Sequence, residues 1–292
     1  MISIILTAYK EPKTIQKAIR SFLDNKIKES YEILVLAPDK ETLDEAKKIK
    51  NKKLKIIQDQ GRGKPAALNL AFKKAKGNIL ILSDGDVYID EHSLKQMIEM
   101  FKDKRVGAVT GRPISLNPRN NMLGFWSHLL TDIADKVRKK MVKEKKVIVC
   151  SGYLYAIRSG IIDKIPEESL ADDAVISHMI HERGYKTLYS PSSLVYVKYP
   201  TNFNDWIKQK KRSAGGYNQL KYFIEEKERM RSFSKESSGI FDVLAYPKTL
   251  KEFFYTSALI FSRLYLWALI FIDINLRQKK FEKIWVRVES TK

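Results

Sequence analysis

The sequence predicts an α/β protein in which a mostly parallel central sheet is flanked by helices and followed by a C-terminal hydrophobic helical segment. Three observations carry this. Aliphatic-rich runs recur at residues 2–9, 31–37, 54–58 and 79–83. Amphipathic stretches at helical spacing separate them, and strands without an alternating polar face belong to sheets covered on both sides. Residues 253–272 then form the longest oily stretch of the chain.

Taken in order, residues 2–9 read as a strand ending in Thr7-Ala8-Tyr9. Pro12 suits the first position of a helix that carries Ile15, Ala18, Ile19, Phe22 and Leu23 at helical spacing. "YEILVLA" (31–37) is a second strand and "ETLDEAKKIK" (41–50) a helix; "LKIIQ" (54–58) and "KPAALNLAFKKAK" (64–76) repeat the pattern. "ILILS" (79–83) is the fourth strand, followed by a helix over 91–104. Beyond residue 105, "VGAVTG" and "VIVCSGYLYAIR" (147–158) read as strands around a long amphipathic stretch at 121–143. A short helix begins near Asp172, and a longer one covers 202–231. In sheets of this kind ligands bind beyond the carboxyl ends of the strands. Thr7 to Glu11, Ala37 to Asp39 and Ser83 to Asp86 fall at those ends.

Of 292 residues, 44% are hydrophobic, which excludes a disordered chain. Lys and Arg outnumber Asp and Glu by 54 to 34, a formal charge of +20 that suits an anionic partner or a heavily solvated lysine surface. Cys150 is the only cysteine, so neither an intramolecular disulfide nor a cysteine-rich metal site can form. "MISIILTAYKEP" lacks the charged region and cleavage site of a secretory signal, so the expected location is the cytoplasm or a surface facing it.

Four clusters could carry chemistry. Asp84-Gly85-Asp86 follows a buried strand; paired carboxylates on a turn hold a hard divalent cation through oxygen and leave positions for phosphate oxygens. Gly61-Arg62-Gly63-Lys64 precedes a helix, where backbone N–H groups and a lysine can meet phosphate, or where a basic turn merely precedes an ordinary helix. Asp172 and Asp173 stand at a helix start, as simple caps or as a general base for an acceptor hydroxyl. His178 and His181 follow without a third ligand and read as packing or surface residues. Gln209 and Arg212 share one helical face, where an arginine can stabilise a diphosphate as charge develops on it.

In this order the clusters resemble the inverting glycosyltransferases of family 2, which have the GT-A fold; the likeness runs from residue 2 to about 220. "TAYKEP" resembles the family's opening segment, "GRGKPAALNLAF" its G-K-x-x-A-L-N helix start, and "KGNILILSDGDV" its strand leading into D-x-D. "SGYLYAIR" is similar to the acceptor-side strand, "LADDAVIS" to the E-D motif, and "QKKRSAGG" to Q-x-x-R-W. The resemblance implies a hexosyltransferase that moves a sugar from a UDP- or GDP-sugar to a lipid-linked or glycan acceptor, at a hydroxyl or phosphate. Thr7, Tyr9, Glu11, Asp39, Lys64 and Asp84 would line the nucleotide site, and Asp84 and Asp86 would hold Mg²⁺ or Mn²⁺. Asp173 matches the catalytic aspartate, Asp172 the acid before it, and Gln209 and Arg212 the retained members of the last motif. It divides the chain into a nucleotide-sugar half (1–104), an acceptor half (105–233) and a C-terminal helical, membrane-associated segment (234–292).

Three positions depart from the family pattern. Ala37-Pro38-Asp39 replaces its usual Asp-Asp, Lys10 precedes Glu11 where asparagine is usual, and Ser213 stands where many processive members carry the tryptophan that stacks on the acceptor sugar. The last predicts a single or limited transfer. Residues 253–272 are long enough to span a bilayer, with Arg263 at the centre and basic flanks at Lys248, Lys251, Arg277, Lys279, Lys280 and Lys283. The segment could span the membrane, lie in its cytoplasmic surface, or pack on the catalytic domain or a second subunit; residues 121–143 could add a further membrane contact or serve the core. Two other functions fit the composition. A sugar-phosphate nucleotidyltransferase would need a glycine-rich loop after the first strand, and "LTAYKEP" has no glycine. A nucleic-acid-binding protein would need a recognisable module, and the lysines here are scattered.

Overall fold

The computed structural model describes residues 1–220, 240–272 and 288–291. The chain divides into two compact units, one of Met1–Ile114 with Arg138–Val197, the other of Ser115–Val137 with Lys198–Thr291.

The first unit is built on an eight-stranded sheet. Its strands are β1 (Ile2–Thr7), β2 (Tyr31–Ala37), β3 (Leu54–Gln58), β4 (Ile79–Asp84), β5 (Tyr88–Ile89), β6 (Val106–Ser115), β7 (Leu154–Arg158) and β8 (Lys186–Val197), in the order β3-β2-β1-β4-β7-β6-β8-β5. Strands β3, β2, β1 and β4 run parallel, as the aliphatic runs predict. Every residue of β1 and β2 is buried, which is what helices on both faces require. Strand β7 pairs antiparallel with both β4 and β6, and β5 with β8. The register that matters for the site sets Thr7 opposite Asp84 and Ser83 opposite Leu154.

The helices covering this sheet are α1 (Ile15–Leu23), α2 (Lys40–Lys47), α3 (Lys64–Lys74), α4 (Ser93–Glu99) and α6 (Asp172–Glu182). Helix α1 starts at Ile15 rather than at Pro12, because the N–H groups of Thr14 and Ile15 both turn back to the Glu11 carbonyl and close a tight turn first. It buries Ile15, Ala18, Ile19 and Phe22 at the expected spacing. Helix α3 begins after Gly63, whose φ of 100° lies where only glycine is at ease.

Two strands were not legible in the sequence. Strand β8 carries Pro191 and three serines, a composition that hides a strand. Its buried serines have partners: Ser190 and Ser193 hydroxyls lie 2.7 Å apart, and Ser193 donates to the Ser93 carbonyl at 2.7 Å. Strand β5 has only two residues. Conversely, the strand expected over 147–158 is reduced to Leu154–Arg158. The N–H groups of Cys150, Ser151 and Gly152 are taken by the side chains of Ser177, Thr110 and Asp173, at 2.9, 2.8 and 2.8 Å, instead of by a neighbouring strand.

Helix α5 (Met122–Lys143) leads with its apolar face into the second unit, which also holds α7 (Phe203–Gln219), α8 (Ile240–Leu244) and α9 (Leu250–Phe271). Phe125, Trp126 and Leu129 of α5 are fully buried against Trp206 of α7 and Leu259 of α9, and the Trp126 indole donates to the Tyr255 carbonyl at 2.6 Å. Phe125, Trp126 and Leu129 of the apolar stripe over 121–143 therefore serve the core. The helix expected over 202–231 is described through Gln219; residues 221–231 lie outside the described residues. Among the described residues α9 is the one helix long and apolar enough to cross a membrane.

Candidate active site

Strands β1, β2 and β4 end side by side in the first unit, and the turns that leave them bring the predicted residues together. Gly85 donates its N–H to the Thr7 carbonyl at 2.9 Å, extending the ladder into the D-G-D turn. A Cβ at Gly85 would lie 2.6 Å from Glu11 Oε2 and 2.7 Å from Ala8 Cβ, so no side chain fits between the two aspartates. Glu11 is 7% exposed, and its N–H donates to the Thr42 hydroxyl at 2.8 Å. The Thr7 hydroxyl is buried beside this turn and has no hydrogen-bond partner among the described residues. Tyr9 is exposed at the rim, with the Lys10 ammonium 5.5 Å from its ring centre.

Asp39 does structural work in this frame. One carboxylate oxygen accepts the Lys10 N–H at 2.8 Å, fixing Lys10 at a φ of 54°; the other accepts the Thr42 N–H at 3.0 Å and caps α2. Burial pushes its carboxyl up, but the Thr42 hydroxyl and the N–H groups of Lys10 and Thr42 outweigh burial and hold it below the usual carboxylate range.

An acidic cluster lies one strand across. The Lys64 ammonium, on the first residue of α3, sits 2.7 Å from Asp84 Oδ1 and 3.5 Å from both Asp172 Oδ2 and the Gly152 carbonyl. Asp173 accepts N–H groups from Gly152 on Oδ2 at 2.8 Å and from Ala174 on Oδ1 at 2.9 Å. Burial, reinforced by the Asp172 charge, pushes the Asp173 carboxyl up to about 6, against the opposing pull of Lys64 and of those two N–H groups. Burial pulls the Lys64 pKa down, but the Asp172 and Asp84 charges outweigh it and raise it, so Lys64 stays an ammonium ion. The Tyr155 hydroxyl reaches Asp172 Oδ2 at 3.4 Å; burial and then the Asp172 charge push its pKa well up, so it is a permanent donor.

Among the described residues no group of three or more His, Cys, Asp or Glu side chains is arranged to hold a metal. Asp84 and the half-buried Asp86 offer carboxylate oxygens, a hard donor set that fits Mg²⁺ or Mn²⁺ when ligand oxygens complete the shell. Gln209 and Arg212 lie on α7 in the second unit; the Gln209 side-chain oxygen is buried and has no hydrogen-bond partner among the described residues. His178 is 3% exposed within α6 and His181 faces solvent, consistent with packing and surface roles. Gly152 and Tyr155 were not singled out as site residues. Both lie in "SGYLYAIR", the segment whose backbone donors are diverted to side chains.

The family model described as "Glycosyltransferase like family 2" matches residues 1–216. A poly-beta-1,6-N-acetyl-D-glucosamine synthase of Staphylococcus aureus is 27% identical over 224 residues, covering 74% of this chain and 54% of its own. The probable glycosyltransferase YdaM of Bacillus subtilis is 24% identical over 243 residues, 77% of this chain and 57% of its own. The chain thus spans little more than half the length of these relatives. Among solved structures, the mannosyltransferase PcManGT of Pyrobaculum calidifontis, in complex with GDP-Man and Mn²⁺, superimposes with a TM-score of 0.60 at 18% identity, over 97% of this chain and 82% of that one. Staphylococcus aureus TarS 1–349, in complex with UDP-GlcNAc, does so with a TM-score of 0.53 at 15% identity, over 95% and 91%. The α/β architecture is that of these GT-A neighbours.

Proposed function

The chain belongs to the glycosyltransferase 2-like family, and on that premise we propose that it transfers a sugar, with inversion, from a nucleoside-diphosphate sugar to an acceptor hydroxyl or phosphate on a lipid-linked or glycan acceptor. The observation that carries the reading is the convergence of Asp84, Lys64, Asp172 and Asp173 beyond the carboxyl ends of parallel strands.

In this mechanism Thr7, Tyr9, Glu11 and Asp39 border the nucleotide, with the unpaired Thr7 hydroxyl as a free partner for it. Lys64 meets the diphosphate, the role that the family motif also assigns to Arg212 and Gln209. Asp84 and Asp86 would hold a divalent cation, which supplies Lewis-acid stabilisation of the leaving diphosphate. Asp173 removes the proton from the acceptor hydroxyl as its oxygen bonds to the anomeric carbon on the face opposite the departing nucleoside diphosphate. The proton stays on Asp173 until solvent takes it. The Gly152 and Ala174 N–H groups orient that carboxylate, and Lys64 keeps Asp172 from raising its pKa further. Incubation with UDP-, GDP- and dTDP-sugars should release nucleoside diphosphate slowly from one of them, and only with Mn²⁺ or Mg²⁺. Release from none, with no nucleoside diphosphate raising the melting temperature, would sink the proposal.

We further propose that the acceptor is presented at the cytoplasmic membrane face, with α9 as the element suited to meet that membrane. At about 100° per residue, Leu250, Phe254, Phe261, Leu264, Tyr265 and Ala268 share one stripe, and Phe254 and Phe261 are each 70% exposed. Leu259, Leu266 and Ile270 are buried on the other side, and Arg263 falls with them rather than on the exposed stripe. This arrangement favours a helix lying in the interface over one that spans it, with Lys248 and Lys251 beside anionic headgroups. Sedimentation with vesicles containing anionic lipid should fall at least tenfold in the Phe254→Ser/Phe261→Ser double variant, with donor hydrolysis unchanged. Equal sedimentation of the variant would remove α9 from the contact. Recovery of the native protein only by detergent extraction would favour a span.

A further inference from the structure

The position of Lys64 has a consequence for the order in which the site fills. Three oxygens from three separate elements converge on its ammonium: Asp84 from the end of β4, Asp172 from the start of α6, and the Gly152 carbonyl from the turn before β7. Two carboxylates and a carbonyl are the donor set that a hard divalent cation selects. Here a protein cation already stands among them.

We infer that Lys64 keeps the cation's place in the empty enzyme, so that the divalent ion binds well only together with the nucleoside diphosphate. Three features support this. Asp84, the first acid of the D-G-D turn, is engaged by Lys64 at 2.7 Å, the shortest of the three contacts. Among the described residues no three His, Cys, Asp or Glu side chains are grouped so as to hold a bare ion against that competition. The Lys64 side chain is only partly buried, at 28% exposure, so it can swing toward an incoming phosphate without breaking the core. A diphosphate offers Lys64 a new anionic partner at the moment it supplies oxygen ligands to the ion. The exchange couples the two bindings, and such coupling is reciprocal: each ligand raises the affinity for the other by the same factor.

The inference rests on the glycosyl-transfer reading and is tested without turnover. Mn²⁺ is titrated into the full chain by calorimetry, alone and with UDP or GDP present, in the wild type and in Lys64→Met and Lys64→Gln. In the wild type either nucleotide should tighten Mn²⁺ at least tenfold. In both variants bare Mn²⁺ should bind at least tenfold tighter than to the wild type, because Asp84, Asp172 and Asp173 lose their compensating charge, and the nucleotide's effect on Mn²⁺ should shrink to less than threefold. Lys64→Arg should restore the wild-type pattern. Bare Mn²⁺ binding to the wild type as tightly as with nucleotide overturns the inference even if no variant folds, and so does unchanged Mn²⁺ affinity in the folded variants. Absence of nucleotide binding under every condition defeats the glycosyl-transfer reading itself. Nucleotide binding with an unaltered response in the variants defeats only the role of Lys64.

Discussion

Asp173→Asn is expected to reduce transfer by about a thousandfold, within the range that a positioned general base contributes, while donor affinity stays within about threefold of the wild type. The separation follows from geometry. Asp173 is anchored by the Gly152 and Ala174 N–H groups, and an amide oxygen can still accept from one of them, so the start of α6 keeps its shape. What asparagine loses is the ability to take a proton. Single-turnover assays beside donor calorimetry read the two effects independently, and a variant turning over at the wild-type rate would assign the base elsewhere. The pH profile supplies a second reading. Because burial and Asp172 push the Asp173 carboxyl up to about 6, the base is protonated and idle below that pH, so the rate should fall on the acid side with a midpoint near it. The sign is that of an acid whose pKa is raised: activity is present above the midpoint and lost as pH drops through it. Asp172→Asn removes the neighbouring charge and should move that limb to lower pH, whatever it does to the rate.

Asp86→Ala, and Asp84→Ala more strongly, should reduce metal-dependent donor binding by at least about tenfold and transfer by at least about a hundredfold, since an ion at a leaving phosphate contributes several kcal/mol. Asp84 serves twice, as a ligand oxygen and as the nearest partner of Lys64. Its removal therefore also frees the lysine to move onto Asp172 and Asp173. Calorimetry with and without Mn²⁺ distinguishes the two acids: the Asp86 variant should retain the metal-free affinity of the wild type, whereas the Asp84 variant should change both. Donor affinity unchanged in both variants would remove the D-G-D turn from metal binding.

The amino-acid pattern alone made much of this visible. The parallel half of the sheet follows from four aliphatic runs, and the location of Asp84 and Asp86 follows from their place at the exit of one of them. The acids at 172 and 173 were recognisable as a helix start. Less visible was the role of "SGYLYAIR", which reads as uninterrupted strand. Nothing local shows that three of its flanking N–H groups will be claimed by Thr110, Ser177 and Asp173, residues 41, 27 and 21 positions away. Strand β8 escaped notice because serine and proline carry no strand periodicity, and its burial depends on partners such as Ser93, a hundred residues distant.

By itself, then, the sequence determined the class of sheet, the strand ends that face a ligand and the acids placed there, because hydrophobic periodicity and local turn chemistry act over a few neighbouring residues. Only the tertiary structure decided that Lys64 would join Asp84 to Asp172, that Asp39 would be occupied as a cap and clamp, and that Arg263 would fall on the packed side of α9. Those outcomes depend on strand order and on which helix face is covered. Electrostatic partners over such distances are chosen by register and burial, which no short window of sequence contains.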